Sequence, residues 1–194
     1  HWEIPFVIAN SAENSDYDSI MCDDENGAAQ AIKFLLELGH KRIAHISYES
    51  IHKSVVIRRN IYKKYMTKNA LKPKIILKRR DKALEADFIK LIKDYRPTAI
   101  FAYHDNIAWE LYFICASLGI RIPDDLSIIG INDCENDLEV IPALSTVRIP
   151  FKKIGEKAVE MLDKKIKTKQ RVKTVSFAEE LIIRKSCAAP SPQN

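Results

Sequence analysis

Glycine is scarce in this sequence. Its five glycines, Gly27, Gly39, Gly119, Gly130 and Gly155, never come close enough together to form a G-x-G-x-x-G or Walker-type loop. That excludes the standard dinucleotide and P-loop fingerprints. No apolar run approaches the roughly 18–20 residues that a bilayer-spanning helix needs. The four cysteines, Cys22, Cys115, Cys134 and Cys187, contain no C-x-x-C pair and no regular spacing. They read as buried free thiols of a reducing cytoplasm, not as a disulfide or zinc framework. The stretch His1-Trp2-Glu3 shows neither the basic nor the apolar region of a secretory leader.

Groupings that do chemistry are missing too. There is no G-x-S-x-G elbow. His40 and His45 lie five apart with no third ligand nearby, and read as a post-helix turn residue and a strand residue. The adjacent pairs Asp23-Asp24 and Asp124-Asp125 cannot face each other on a strand, and suit caps and turns. No catalytic residue, metal ligand or cofactor is expected. Acids are absent between Lys53 and Arg80, where eleven Lys or Arg occur, although the net charge of the chain is only +5. Nucleic-acid binding would be the sharper reading of that run. No helix-turn-helix, zinc finger or aromatic-interleaved platform accompanies it, so a solvated helix face is the simpler one.

What is present is a regular alternation. The chain has 194 residues, 46% hydrophobic and 29% charged, enough for one large domain or two small ones. Strands are predicted at 5–9, 19–22, 42–47, 75–77, 98–103, 126–131 and 145–149, with extended runs at 173–177 and 180–184. Helices are predicted between them. One carries Ala28, Ala31, Ile32, Leu35 and Leu36 and stops at Gly39. Another spans about 53–69, and a third 83–95. A fourth, capped by His104 or Asp105, turns Ile107, Ala108, Leu111, Cys115 and Leu118 inward and closes at Gly119. The last opens at Pro150 with Ile154, Ala158, Met161 and Leu162 on one face. Such alternation means α/β architecture with a doubly wound parallel sheet. Ligands of these sheets bind beyond the carboxyl ends of the strands, here Asn10, the 47–54 loop, His104-Asp105 and Asn132-Asp133.

Four stretches resemble the lactose-repressor/galactose-repressor family of bacterial transcription regulators. Asp23-Asp24-Glu25-Asn26-Gly27-Ala28 running to Leu38-Gly39-His40-Lys41-Arg42-Ile43-Ala44 is similar to its "D-N-x-x-G-A … L-G-H-x-R-I-A". Pro97-Thr98-Ala99-Ile100-Phe101-Ala102 leads to Asp105 as in "P-T-A-I-F-A-x-N-D". Ile122-Pro123-Asp124-Asp125-Leu126-Ser127-Ile128-Ile129-Gly130-Ile131-Asn132-Asp133 resembles "I-P-x-D-x-S-V-I-G-F-D-D". Pro142-Ala143-Leu144-Ser145-Thr146-Val147 to Gly155 resembles "P-x-L-T-T-V … x-x-G". All four occur in the family's order and spacing.

The resemblance implies a type I periplasmic-binding-protein-like fold of two lobes with a small molecule between them. It places residues 1–10 and 150–176 in a partial first lobe and residues 19–148 and 178–187 in a largely complete second lobe. Residues 188–194 are expected to be a disordered tail. The DNA-binding helices would lie outside this chain, which then reads as a C-terminal fragment. The family's pocket positions fall on Asn10, Ser54 and Arg58, on His104 in place of an Asn, and on Asn132 in place of an Asp. They also fall on Phe151 near the third lobe crossing, and on Lys82 close to where a stacking aromatic is usual. Ile149 stands where a Gln is common. Fewer carboxylates, a missing ring and added cations imply an anionic or polar non-sugar effector, such as a sugar acid or phosphosugar. The implied function is the effector-binding and dimerising core of a cytoplasmic, sugar-responsive transcription regulator whose effector, a sugar or sugar derivative, controls DNA binding; it is homodimeric in its full-length form and not an enzyme. An extracytoplasmic solute-binding protein is the alternative, and an α/β enzyme a third.

Overall fold

A computed structural model describes residues 4–10, 17–79, 81–168 and 174–191. Among the described residues nine strands form two sheets. Strands β1 (Ile8–Ala9), β2 (Ser19–Cys22) and β8 (Val175–Phe177) form a small parallel sheet in the order β1-β2-β8. The larger sheet contains β3 (Ile43–Tyr48), β4 (Lys74–Lys78), β5 (Ala99–Ala102), β6 (Ser127–Asn132), β7 (Ser145–Arg148) and β9 (Glu180–Ile182). Its order is β4-β3-β5-β6-β7-β9. Every pair in it is parallel except β7 with β9, which the alternation alone did not indicate.

The pleat sorts the core. Along β5, Ala99 and Phe101 join one apolar cluster while Ile100 and Ala102 join another. Successive side chains of a strand point to opposite faces, so a fully apolar strand needs cover on both. Helices α1 (Asp24–Glu37) and α2 (Lys53–Lys68) cover the first face, and α3 (Glu85–Tyr95) and α4 (Asp105–Leu118) the second. Asp23 caps α1 by accepting the Asn26 amide at 3.1 Å. On α4, Ile114 is buried and Leu118, expected inward, is 42% exposed. Helix α5 (Phe151–Thr168) packs on β1 and β2, burying Ile154 and Met161.

Three of the sequence expectations need correction. Residues 19–22 pair with β1 and β8, so they belong with the small sheet and not with the second lobe. A four-residue apolar run carries no information about which neighbour it pairs with. Ala188, at the head of the expected disordered tail, is also packed. The Ala188 carbonyl accepts from Ser127 Oγ at 3.1 Å and lies 2.9 Å from His40 Nε2, while the Ala188 amide donates to Ser127 Oγ. Residues 192–194 and Lys173 lie outside the described residues. Finally, the chain passes between the sheets at Cys22–Asp24, at Ile149–Pro150 and at Ala178–Glu179. Phe151 thus stands at the second crossing, not the third.

Tyr62 of α2 ties the sheet edge together. Its buried hydroxyl donates toward the carbonyls of Ile43 and Lys74 and accepts the Lys74 amide, all within 3.1 Å. Tyr62→Phe leaves that amide without its partner. Urea unfolding should show a loss of about 1–2 kcal/mol with an unchanged slope.

Candidate functional site

The strand ends of the large sheet deliver a group of rings. Tyr48 closes β3, and Tyr103 and His104 follow β5. The Tyr48 ring lies 5.8 Å from Tyr103 and 5.3 Å from His104, with Tyr103 and His104 at 5.2 Å. Tyr103 OH lies 2.8 Å from Ser54 Oγ in the first turn of α2. Ser54 also lines a small cavity of about 40 Å³ together with Asn10, Cys22, Asp24, His52 and Lys53. Asn10 comes from the end of β1 on the other sheet, so this cavity joins the two bodies. Two of the sequence-derived positions, Asn10 and Ser54, therefore line one cavity, and His104 is linked to it only through the neighbouring Tyr103 ring.

Arg58 is 4% exposed and fully engaged. Its Nε and Nη2 reach one Asp24 oxygen at 2.8 and 2.7 Å, and Nη1 donates to the Tyr103 carbonyl at 2.8 Å. Its guanidinium carbon lies 4.8 Å from the Tyr103 ring centre. Arg58 thus faces the ring group through protein partners. Asp24, which sequence suggested only as a cap, is its counter-ion. The reason is positional: Asp23 takes the cap, which leaves Asp24 to point across to α2.

Asn132 ends β6 with φ of 139°, followed by Asp133 at 62°, while Asn10 has φ of 58°. Positive φ disfavours side chains other than glycine, with Asn and Asp the best tolerated. All three stand at carboxyl ends of strands. The Asn132 carbonyl accepts the Ile149 amide, which sets the entry to the second crossing and to Phe151, 48% exposed at the head of α5. No described contact joins Lys82 to this group. Its side chain is exposed, and its carbonyl accepts from Lys78 Nζ, which also pairs with Glu110.

A buried acidic pair fixes the 132–138 loop. Asp105 accepts the Asp133 amide at 2.8 Å and the Thr146 hydroxyl at 2.7 Å. Asp137 accepts from Trp109 Nε1 and from the Cys134 amide. Burial, then the neighbouring Asp137, pushes the Asp105 carboxyl well above the ordinary range, and burial raises Asp137 as well. Gly130 of β6 pairs with Thr146 of β7 and makes room for Asp105, since an added Cβ there would overlap the carboxylate. Beside them, Asp133 accepts from both Arg148 and Arg184. Burial would raise its carboxyl, but those two partners outweigh it and hold it low.

Sequence reasoning missed Tyr48, Tyr103 and Glu179. Tyr103 carried a signal, since it ends an apolar run at a position where such sheets bind ligands. Glu179 carried none, because Ala178-Glu179-Glu180 reads as a polar connection. Among the described residues no group of three or more His, Cys, Asp or Glu could hold a metal ion, and no helix is long and apolar enough to cross a membrane.

A profile of the periplasmic binding protein-like domain matches residues 32–187. The chain belongs to this family. Its form is that of the effector-binding region of lactose-repressor/galactose-repressor regulators, as comparison with individual proteins shows. It is 33% identical over 192 residues to the HTH-type transcriptional repressor PurR of Vibrio atlanticus (strain LGP32), covering 96% of this chain and 58% of that protein. The chain therefore spans a little over half the length of that relative. A LacI family transcriptional regulator from Enterococcus faecalis V583, with bound ribose, is 25% identical with a TM-score of 0.88 over 97% of this chain and 70% of its own. A dimeric Lac repressor with a C-terminal deletion and a K84L substitution is 25% identical with a TM-score of 0.85, over 97% of this chain and 71% of its own.

Proposed function

We propose that this chain is the effector-sensing core of a cytoplasmic, homodimeric transcription regulator. It holds a sugar-sized molecule reversibly and does not transform it. DNA contact would come from helices outside this chain. The observation that carries the reading is the junction of Asn10, Ser54, Tyr103 and His104. Two sheets meet there through hydroxyl, amide and ring groups. Hydroxyls and rings suit a polyol's alternating polar edges and apolar faces. The repressors to which the chain is similar favour a regulator over a solute-binding protein or an enzyme.

Asn10, Ser54, His104, Asn132 and Phe151 are the proposed contacts. Arg58 is placed behind them and Lys82 outside them. His52 and Lys53 flank Ser54 at the cavity, and the first turn of α2 holds no acid. A helix start of this kind favours negative charge, so a sugar acid or phosphosugar is the proposed effector class. Calorimetry on the full-length protein tests this against neutral pentoses and hexoses. Tighter binding of the neutral forms would discard the anionic class, and turnover of a sugar phosphate would discard the binding role. Ser54→Ala is expected to weaken binding about tenfold, the worth of one hydrogen bond, and to cost about 1 kcal/mol in urea unfolding through the lost bond to Tyr103.

A further inference from the structure

Glu179 sits at the third crossing, the link from β8 to β9. It is 4% exposed, and neither carboxyl oxygen has a hydrogen-bond partner among the described residues. Its side chain lies flat on Gly27 of α1, where any Cβ would overlap the carboxyl. Gln30 of α1 fixes the backbone on either side, donating to the Glu179 carbonyl at 3.0 Å and accepting the Leu181 amide at 3.2 Å. The carboxyl is thus cradled and held. Among the described residues the cation paired with it is Arg58, whose Nη2 lies 4.0 Å from Glu179 Oε1 and 2.7 Å from Asp24.

We propose that Glu179 is a positioning residue, a second carboxylate seat for Arg58. It takes the guanidinium from Asp24 as the two bodies move about the crossings, and releases its proton to solvent as it does so. The motion rests on the effector-sensing reading above; the seat does not. The groups facing the carboxyl are Arg58 from α2, Asp23 and Asp24 from the head of α1, and Cys22 from the end of β2. The burial of Glu179 raises its proton affinity, and the two aspartates raise it further against the pull of Arg58. Cys22 is itself pushed up, to about 12, by burial and then by Glu179, so its thiol stays neutral. While Arg58 faces Asp24, Glu179 holds its proton, to about pH 8. A shift of the guanidinium by little more than an ångström would give it a hydrogen-bonded ion pair and remove the reason to keep that proton.

Carbon-13 NMR of glutamate-labelled chain tests the seat, with Glu179→Gln identifying the resonance. In the wild type the Glu179 carboxyl should titrate far above the other glutamates. In the isosteric Asp24→Asn, where Arg58 loses its present partner, the midpoint should fall by about two pH units or more. An unchanged midpoint in Asp24→Asn, or an ordinary one in the wild type, would overturn the proposal. The transfer itself is read by calorimetry of ribonate, a sugar acid already ionised at pH 7, on the full-length protein in buffers of different ionisation enthalpy. Close to one proton should be released per ribonate near pH 7, and none in Glu179→Gln. Ribonate binding with no proton released would refute the transfer. If ribonate does not bind, that counts against the anionic effector class, and the titration still decides the seat.

Discussion

Gly130→Ala is expected to destabilise the chain by about 3 kcal/mol in urea unfolding, toward the upper end of what overpacking costs. The added methyl would overlap a carboxylate oxygen of Asp105 and sit 3.3 Å from the Asp105 backbone, so no side-chain swing relieves it fully. Asp105 cannot move without giving up Thr146 and the Asp133 amide. The head of α4 and the 132–138 loop would be disturbed together. Asp105→Ala opens part of the space, so the cost of Gly130→Ala should shrink by roughly 1 kcal/mol or more in that background. Equal costs in both backgrounds would show that the methyl fits and that the Asp105 seat is not what requires glycine.

The second large effect is on pH. Asp105 and Glu179 have raised carboxyls, the latter at about 8. Between the unfolded values, 3.8 for Asp105 and 4.5 for Glu179, and the folded ones, the native state binds more protons than the unfolded chain. Their stabilisation is therefore full below those unfolded values and fades as pH climbs to about 8. His45 acts oppositely. Burial pushes its imidazole down to about 3, so it stays neutral in the fold while the unfolded chain takes up a proton below about 6.5. His40 is lowered in the same way, also by burial. Native carboxylates with lowered values, Asp133 and Asp125, add a loss in acid. Stability should thus peak near pH 5–6.5 and fall by roughly 1–2 kcal/mol for each raised carboxyl between pH 6.5 and 8. Glu179→Gln should remove its share of that alkaline decline. Urea midpoints that stay level from pH 6 to 8.5 would contradict the burial of both carboxyls as neutral acids.

How far the sequence could be read depended on what each signal encodes. The α4 boundaries followed from the stripe Ile107, Ala108, Leu111, Cys115 and from Gly119, whose φ of 69° ends the helix. The strands of the large sheet were legible because an all-apolar run must be covered on both faces. Pro5–Ala9 was read as a strand, yet only Ile8 and Ala9 pair. Hydrophobicity signals burial and does not say which residues find a partner. The sheet to which Ser19–Cys22 belongs was hidden for the same reason. At the site, polar strand-end residues were found from position alone, since the topology exposes them. Glu179 and the Asp105–Asp137 pair were not, because an acid in the sequence looks the same whether water or a glycine backbone surrounds it. The basic run 53–80 proved mixed. Arg58, Lys78 and Arg79 have acidic partners, while Lys63, Lys64, Lys68 and Lys72 lie on the outer surface.

The small sheet is stitched from residues 8–9, 19–22 and 175–177, and β7 finds its outer neighbour only in residues 180–182. Contacts so distant along the chain close late and slowly. During synthesis, nearly everything up to β7 must wait with its outer strand edge bare until residues 180–182 leave the ribosome. A bare edge of that kind invites pairing with another copy. Nascent chains stalled before residue 175 should therefore be the species most in need of a chaperone.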